Sequence, residues 1–422
     1  MKDEANSGRT PAPSGPTPPG GGSPLEVLFV FLRLGLTSFG GPIAHIGYFR
    51  NAFVLRRKWL DENAFADLVG LCQFLPGPAS SQVGFSIGLM RAGWLGGLAA
   101  WTGFTLPSAA LMALFAYGAG GLHGALGEGL VHGLKLVAVA IVGQAVWGMA
   151  RTLTPDLVRA VIAVAVALFL LGSGWAFGQV AVIAAGAVLG LVLCRGAPPA
   201  PVGRLEVPVS KPLGILALAA YAGLLIVLPV LASGWGSAAL VRFDAFYRAG
   251  ALVFGGGHVV LPLLRQTVVA PGWVSEDAFL AGYGAAQAVP GPLFTFAAYL
   301  GAVARPGPHG LAGGALGLFA IFLPGLLALA GALPFWDGFR RVRAAQSAMR
   351  GINTAVVGVL GAAFYNPVWT SSVRTLPDLL LALAAFVLLT RFRAPPIVAV
   401  ALCAAGGVGM AAFAGSLDHL IK

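Results

Sequence analysis

The stretch FLRLGLTSFGGPIAHIGYFR at residues 31–50 decides the fold, because residues 246–265 repeat its pattern as FYRAGALVFGGGHVVLPLLR. Further matches follow in the same order: Trp59-x-x-Glu62 with Trp273-x-x-Glu276, Gln73-x-x-Pro76-Gly77-Pro78 with Gln287-x-x-Pro290-Gly291-Pro292, and Pro107 with Pro324. The offset stays between 214 residues, as from Glu62 to Glu276, and 217 residues, as from Pro107 to Pro324. Ordered matches at one offset indicate an internal duplication.

The composition is that of a membrane protein. Of the 422 residues, 58% are hydrophobic and 10% are charged, whereas soluble domains carry about 25% charged residues. A helix needs roughly 17–25 apolar residues to cross the hydrocarbon. We therefore predict an all-α polytopic membrane protein with about thirteen hydrophobic segments. They are 25–48, 63–90, 94–117, 131–150, 158–176, 178–194, 213–232, 240–264, 278–303, 309–335, 351–367, 376–391 and 394–415.

The two copies are predicted to have inverted topology, because one extra span, 213–232, separates them. Residues 50–62 carry four basic side chains and the matching second-copy loop carries one, whereas this bias is reversed for residues 118–130 and 336–350. The positive-inside rule then predicts a cytoplasmic amino terminus and an external carboxyl terminus in a bacterial inner membrane. Whether 25–48 and 63–90 cross fully or re-enter stays open, and the basic loop favours re-entry.

The resulting division of the chain has five parts. We predict a disordered Pro/Gly/Ser-rich tail at 1–24, a first membrane repeat at 25–195 and a loop with a linking helix at 196–239. A second repeat at 240–415 and a tail at 416–422 complete the chain.

The repeated motifs predict broken helices. Pro42, Pro76, Pro78, Pro290 and Pro292 remove backbone donors, and the adjacent glycines permit chain reversal. Non-helical backbone is tolerated in hydrocarbon only where it is buried in protein or lines a wet cavity. A half-helix that starts at such a break offers free N–H groups and a positive dipole end to an anion. A packing kink is the alternative reading.

Polar residues near the breaks are candidate anion ligands. Arg33 and Arg248 occupy matching positions and could donate two hydrogen bonds to an oxyanion, or could extend towards the membrane surface near a helix end. His45 and His258 could bind anion, relay a proton or make a structural hydrogen bond, and the two repeated glutamines could instead bridge helices. The candidate substrate ligands are Arg33, Ser38, Gly40, Gly41, His45, Gln73, Gly77, Ser80, Ser81, Gln82, Arg248, Gly255, Gly256, Gln287 and Gly291.

Residues 31–93, with the repeated blocks at 246–301, resemble the chromate ion transporter family in its long, two-domain form. The resemblance implies chromate efflux and resistance. It also implies roles for the basic loop at Arg57, Lys58 and Trp59, which we expect to be cytoplasmic. The second copy has Gly257 where the first has Pro42, and it lacks the Arg-Arg-Lys run. Equal roles for the two copies are therefore not expected.

Two rival functions are compatible with the same residues. Sulfate shares the charge and tetrahedral shape of chromate, so a permease for sulfate or another oxyanion is the alternative. The second rival is a membrane scaffold without transport. It would be favoured if the helix breaks pack against side chains, with no polar cavity between the halves. No nucleotide-binding or hydrolase motif is present, so we expect no enzyme activity, no cofactor, no metal and no nucleic-acid partner. The expected partners are the oxyanion, the lipid bilayer and a second copy of the chain in a homodimer.

Overall fold

The computed structural model describes residues 21–119, 124–173, 178–194, 207–235, 237–254, 257–339 and 342–421. Within these ranges the chain is helical and contains no strand. The helices of the first half are α1 Pro24–Thr37, α2 Gly41–Phe49, α3 Glu62–Phe74, α4 Ala79–Ala119, α5 Gly124–Leu153, α6 Leu157–Ser173 and α7 Gly178–Leu193. The linking helix is α8 Lys211–Trp235.

The second half contains ten helices in its described part. They are α9 Ala238–Ala251, α10 Val260–Val268, α11 Glu276–Ala288, α12 Phe296–Val303, α13 Gly310–Ala332, α14 Trp336–Phe339, α15 Arg343–Ala363, α16 Thr370–Ser372, α17 Leu376–Thr390 and α18 Pro396–Ile421. A π-helical turn, Arg50–Arg56, continues α2, and another, Phe364–Trp369, follows α15. The last helix thus extends through residues 416–421.

Matching helices of the two halves begin with the same kind of cap. The Asp61 side chain accepts a hydrogen bond from the Ala64 amide at the start of α3, and the Ser275 side chain accepts one from the Ala278 amide at the start of α11. Such caps satisfy amide groups that have no partner within the helix. The duplication seen in the sequence is therefore also present in local structure.

Six helices of the described chain are long and apolar enough to cross a membrane, and four shorter apolar helices accompany them. The six are residues 79–118, 126–153, 211–234, 310–339, 343–372 and 396–413. Large apolar side chains of these six helices, such as Leu95, Leu114 and Ile226, are exposed. The predicted fold class, an all-α polytopic membrane protein with broken helices, is confirmed.

Each half contains two helix pairs that begin and end on the same side. In the first half, Arg91 donates to Glu26 near the start of α1 at 3.2 Å. The same guanidinium lies 5.0 Å from the ring centroid of Trp59, which follows α2. The chain from Glu26 to Trp59 therefore returns to the side on which it began. Because Arg91 also ends the first arm of α4, the pair formed by α3 and that arm does the same.

The second half repeats this closure. The Arg305 amide donates to the Trp273 carbonyl at 3.0 Å, and Arg242 lies over the Trp273 ring at 5.8 Å. Arg242 also donates to the carbonyls of Pro306 and Pro308. In each half, both helix pairs therefore have their outer ends on the same side. This geometry is typical of re-entrant hairpins, which the basic residues at 50–62 also favour over full crossing.

The long helices α4 and α13 run in opposite directions. Helix α4 folds back at Ala92 and Gly93, where Gly93 has a φ of 66°, so that residues 94–119 form its second arm. Near one end of this arm Trp101 packs against Phe322 of α13, with ring centroids 5.6 Å apart. Near the other end the Tyr117 hydroxyl accepts from the Leu311 amide at 3.1 Å. Residue numbers that rise along the second arm of α4 therefore pair with residue numbers that fall along α13. The two helices are antiparallel, although they occupy matching positions in the two copies.

The remaining helices exchange partners between the halves. Gly133 of α5 lies against the Cys403 carbonyl of α18, and Gly351 of α15 lies against the Gly186 carbonyl of α7. Glycine allows this close approach of two backbones in membrane helices. The central helix of each half, α5 in the first and α15 in the second, therefore packs against the last helix of the other half, α18 and α7 respectively.

Candidate functional site

The four breaks of the two halves meet at one place. The Gly77 amide donates to the Val253 carbonyl at 2.8 Å, and the Gly291 amide donates to the Ser38 carbonyl at 3.0 Å. Gly77 and Gly291 are matching residues, as are Ser38 and Val253. Each Pro-Gly-Pro break is thus bonded to the other half's Phe-Gly-Gly break, and such reciprocal contacts are typical of a two-fold arrangement.

The breaks approach so closely that side chains would not fit at several glycines. A Cβ on Gly77, whose φ is 113°, would lie 2.8 Å from the Gly325 Cα. A Cβ on Gly291, whose φ is 104°, would lie 2.8 Å from the Ser108 hydroxyl. Positive φ values of this kind favour glycine strongly. Both amides already have carbonyl partners, so neither is free to donate to an anion.

His45 joins three parts of the first-half site. Its Nε2 lies 3.2 Å from the Ser38 carbonyl and its Nδ1 lies 3.3 Å from the Ser80 hydroxyl. A carbonyl can only accept, so Nε2 carries the hydrogen and the neutral ring accepts from Ser80 at Nδ1. His45 is buried beside Phe104, with ring centroids 5.1 Å apart. The structure therefore gives His45 a full set of hydrogen bonds.

Several buried polar atoms in this region have no hydrogen-bond partner among the described residues. They are the hydroxyls of Ser38 and Ser81, the Gln82 Oε1 and the Gln287 Nε2. Gln82 uses its Nε2 instead, which donates to the Pro76 and Gly325 carbonyls at 2.9 and 2.8 Å. Leaving a buried hydroxyl unpaired costs about 1–3 kcal/mol. The two hydroxyls and the Gln287 Nε2 can donate to an oxyanion, whereas the Gln82 Oε1 can only accept.

The first half is the more polar of the two sites. The Gln82 amide donates to the Pro78 carbonyl at 3.0 Å, so the amides of Ala79, Ser80 and Ser81 lie in the first turn of α4 and face its end. Thr295 matches Ser81 in the second half, but its hydroxyl donates to the Pro292 carbonyl at 2.8 Å. Phe294 and Phe296 match Ser80 and Gln82. The predicted asymmetry between the halves is therefore visible in the side chains.

The two candidate arginines are not brought to the breaks. Arg33 is exposed on the outer face of α1 beside exposed Phe29 and Leu36. Arg248 is half-exposed and bonded to Asp244 one turn earlier, at 2.6 Å. Phe29 occupies the position that matches Asp244, so Arg33 lacks the carboxylate that neutralises its counterpart. Gln73 is also exposed, whereas Gln287 is buried.

The remaining candidates occupy different surroundings. Gly40 and Gly41 have φ values of 102° and 75° and begin α2. Gly255 and Gly256 lie outside the described residues. Arg57 and Lys58 are exposed, and Trp59 stacks on Phe53 with centroids 4.9 Å apart. Arg57 and Arg91 both lie over the Trp59 ring, so the basic loop is at the end of the α1–α2 pair that Arg91 joins to the start of α1.

Three residues at the breaks were not predicted from the sequence. Ser108 and Gly325, each directly after the repeated proline of a long helix, contact Gly291 and Gly77, and their position behind Pro107 and Pro324 was an available signal. Tyr283, bonded to His258 at 2.8 Å, had no such signal. A separate cleft of about 280 Å³, lined by Val207, Lys211 and Trp336 among others, lies at the start of α8.

Comparison with known proteins places both halves in one family. The profile of the family described as chromate transporter matches residues 25–191 and 240–408. A chromate transport protein of Pseudomonas aeruginosa is 29% identical over 348 residues, covering 79% of this chain and 78% of that protein. A probable chromate transport protein of Synechococcus elongatus is 26% identical over 369 residues, covering 85% and 87%.

A third relative has similar coverage. The chromate transport protein of Cupriavidus metallidurans is 25% identical over 382 residues, covering 87% of this chain and 88% of that protein. No solved structure matches the chain.

Proposed function

The chain belongs to the chromate transporter family, and from this premise we propose that it exports chromate from the cytoplasm as a secondary transporter or uniporter and so confers chromate resistance. The observation that supports this most is the meeting of four helix breaks around buried hydroxyls that have no partner among the described residues. A dianion placed there would accept from the hydroxyls of Ser38 and Ser81. It would also lie against the positive ends of α2 and of α4.

Membrane physics supports the outward direction. Moving one charge through 100 mV is worth about 2.3 kcal/mol, so a dianion gains about 4.6 kcal/mol on leaving a negative cytoplasm. Since about 1.4 kcal/mol is tenfold, this supports a gradient of roughly 2000-fold without ATP. The same field opposes uptake of chromate.

We further propose that the two repeats are inverted in a bacterial inner membrane, with the amino terminus cytoplasmic and the carboxyl terminus external. The antiparallel contacts of α4 and α13 support this, since matching helices of parallel copies would run the same way. The breaks then lie near the middle of the bilayer, with one re-entrant set entering from each side. This is a recurrent architecture of secondary transporters.

A flux assay tests the proposed function. The full chain is purified, reconstituted into proteoliposomes loaded with chromate, and given a potassium diffusion potential that is negative inside. We expect chromate release that exceeds that of protein-free vesicles and that falls when the potential is collapsed. Release equal to that of protein-free vesicles, with the protein shown to be inserted, would contradict the proposal.

The same vesicles separate chromate from the alternative substrate. Sulfate, molybdate or phosphate is added at increasing concentration on the loaded side, and the initial rate of chromate release is measured. Inhibition by sulfate at concentrations below those of chromate would identify the protein as a sulfate permease that accepts chromate. Weaker inhibition by sulfate than by unlabelled chromate supports chromate as the substrate.

A further inference from the structure

His258 belongs to the second half but faces the first-half break. It lies in the short turn Gly257–Val259 that precedes α10. Its Nε2 lies 4.0 Å from the position that a Cβ on Gly41 would occupy, and a Cβ on the neighbouring Gly257 would lie 3.0 Å from the Pro42 Cγ. The ring nitrogen therefore points at the start of α2 from across the interface between the halves.

The start of α2 is open to a ligand. Its cap residue, Gly40, has no side chain to bond the first amides, and no side-chain cap is present. Ser38, two residues earlier, is fully buried and its hydroxyl has no partner among the described residues. Gly40 itself is exposed. The uncapped helix start thus faces a ring nitrogen, and an unpaired buried hydroxyl lies three residues before Gly41.

We propose that His258 completes an oxyanion site at the start of α2, donating Nε2–H to an oxygen of the anion across the interface between the halves. This inference rests on the proposed function, since it names a ligand for the same transported anion. Because one donor comes from each half, the site is complete only when the two halves are closed against each other.

Tyr283 fixes the ring for this role. The Tyr283 hydroxyl lies 2.8 Å from His258 Nδ1 and is fully buried. When this hydroxyl donates to Nδ1, the hydrogen of the neutral ring resides on Nε2 and points at α2. Tyr283 is therefore a positioning residue that acts through His258.

His45 differs from His258 in this respect, although each follows a double glycine. Both ring nitrogens of His45 already have partners in Ser38 and Ser80. Of His258, only Nδ1 has a partner among the described residues. The structure thus assigns a packing role to one histidine and a ligand role to the other.

The test measures chromate and sulfate affinity in the full chain. His258→Leu removes the donor, whereas His258→Gln keeps an amide N–H near the position of Nε2. Binding is followed by calorimetry in detergent, and flux by KM in proteoliposomes. Loss of one hydrogen bond to a charged group predicts a Kd and KM raised about ten- to a hundredfold in His258→Leu. His258→Gln is expected to retain most of the affinity.

Two further variants separate ligand binding from structure. Tyr283→Phe is expected to raise KM with less effect on kcat and to change the pH dependence of KM, because the ring is no longer held in one tautomer. His309→Leu, in the exposed loop before α13, is the matched control and is expected to bind as the wild type does. Thermal unfolding of each variant confirms that it is folded.

The outcomes distinguish this inference from the proposed function. A folded His258→Leu protein with wild-type Kd and KM would overturn the inference and leave the function intact. A wild-type protein that binds anion through His258 but shows no flux would overturn the function and leave the inference intact. Absence of both binding and flux in the wild type would overturn both.

Discussion

At the scale of single residues, the two halves differ in which hydroxyls are free. Ser81 and Thr295 occupy matching positions, yet the Thr295 hydroxyl bonds the Pro292 carbonyl and the Ser81 hydroxyl has no partner in the described chain. A free hydroxyl at the start of a helix can donate to an anion without first breaking another bond. We therefore expect the first half to bind an anion better than the second, although the fold is duplicated.

Ser81→Ala tests this difference. We expect KM for chromate to rise about tenfold or more, since a hydrogen bond to a charged group is worth about 1.5–3 kcal/mol. Stability should rise by up to about 1–3 kcal/mol, because the variant removes a buried hydroxyl that has no partner among the described residues. Ser86→Ala is the control: Ser86 is also buried without a described partner, but lies more than one turn further along the same arm. A similar KM increase in both variants would remove Ser81 from the site.

Sequence could identify residue types at this scale but not the direction of their side chains. Arg33 and Arg248 were predicted as ligands because a charge in an apolar segment is costly. The structure instead leaves Arg33 on an outer face and pairs Arg248 with Asp244. Asp244 lies four residues before Arg248, so the pair could have been recognised from helical spacing. The cross-half contact of His258 with Gly41 left no local signal.

At the scale of helices, the breaks were predictable and the partners were not. Proline and glycine interrupt the backbone for local reasons, and the structure breaks at Ser38–Gly40 and at Pro76–Pro78 as expected. The predicted segment 131–150 is longer in the structure, where α5 begins at Gly124, because Glu128 lowers the apolar character of the first turns without ending the helix. The choice of α18 as partner of α5 depends on glycine faces far apart in the chain.

The close packing of α5 on α18 can be tested by comparing alanine substitutions at two glycines of α5. Gly133→Ala places a Cβ against the Cys403 carbonyl of α18, and overpacking of this kind costs about 1–3 kcal/mol. Gly148→Ala on the same helix meets no atom within 4 Å and should stabilise by up to about 1 kcal/mol, because alanine favours helix. Thermal unfolding in detergent should show a lower midpoint for the first variant than for the second. Equal midpoints would contradict the close packing of α5 on α18.

At the scale of the whole molecule, the duplication was predictable because its motifs are ordered and evenly offset. Both halves keep a salt bridge at the same place, Arg50 with Glu62 at 2.6 Å and Arg265 with Glu276 at 2.9 Å. The exchange of helices between the halves was not predictable, since either copy could in principle have packed on itself. Each half depends on the other for the partner of its central helix.

Inverted topology predicts that matching loops lie on opposite sides of the membrane. Arg57→Cys and Pro271→Cys are placed singly in a chain whose three buried cysteines are replaced by alanine. Both positions are exposed and differ by the repeat offset. An impermeant maleimide should label Arg57→Cys in inside-out vesicles and Pro271→Cys in intact spheroplasts. Labelling of both variants from one side would show that the copies are parallel.

The paired amide bonds of Gly77 with Val253 and of Gly291 with Ser38 restrict how the halves can move. Rotation of one half about the line that joins the two bonds leaves both donor–acceptor distances unchanged. Sliding one half past the other along the membrane normal lengthens both bonds, with no water in the hydrocarbon to replace them. For the proposed transport we therefore expect rocking about these two bonds rather than an elevator-like displacement, so that access would change sides while the breaks stay at one depth.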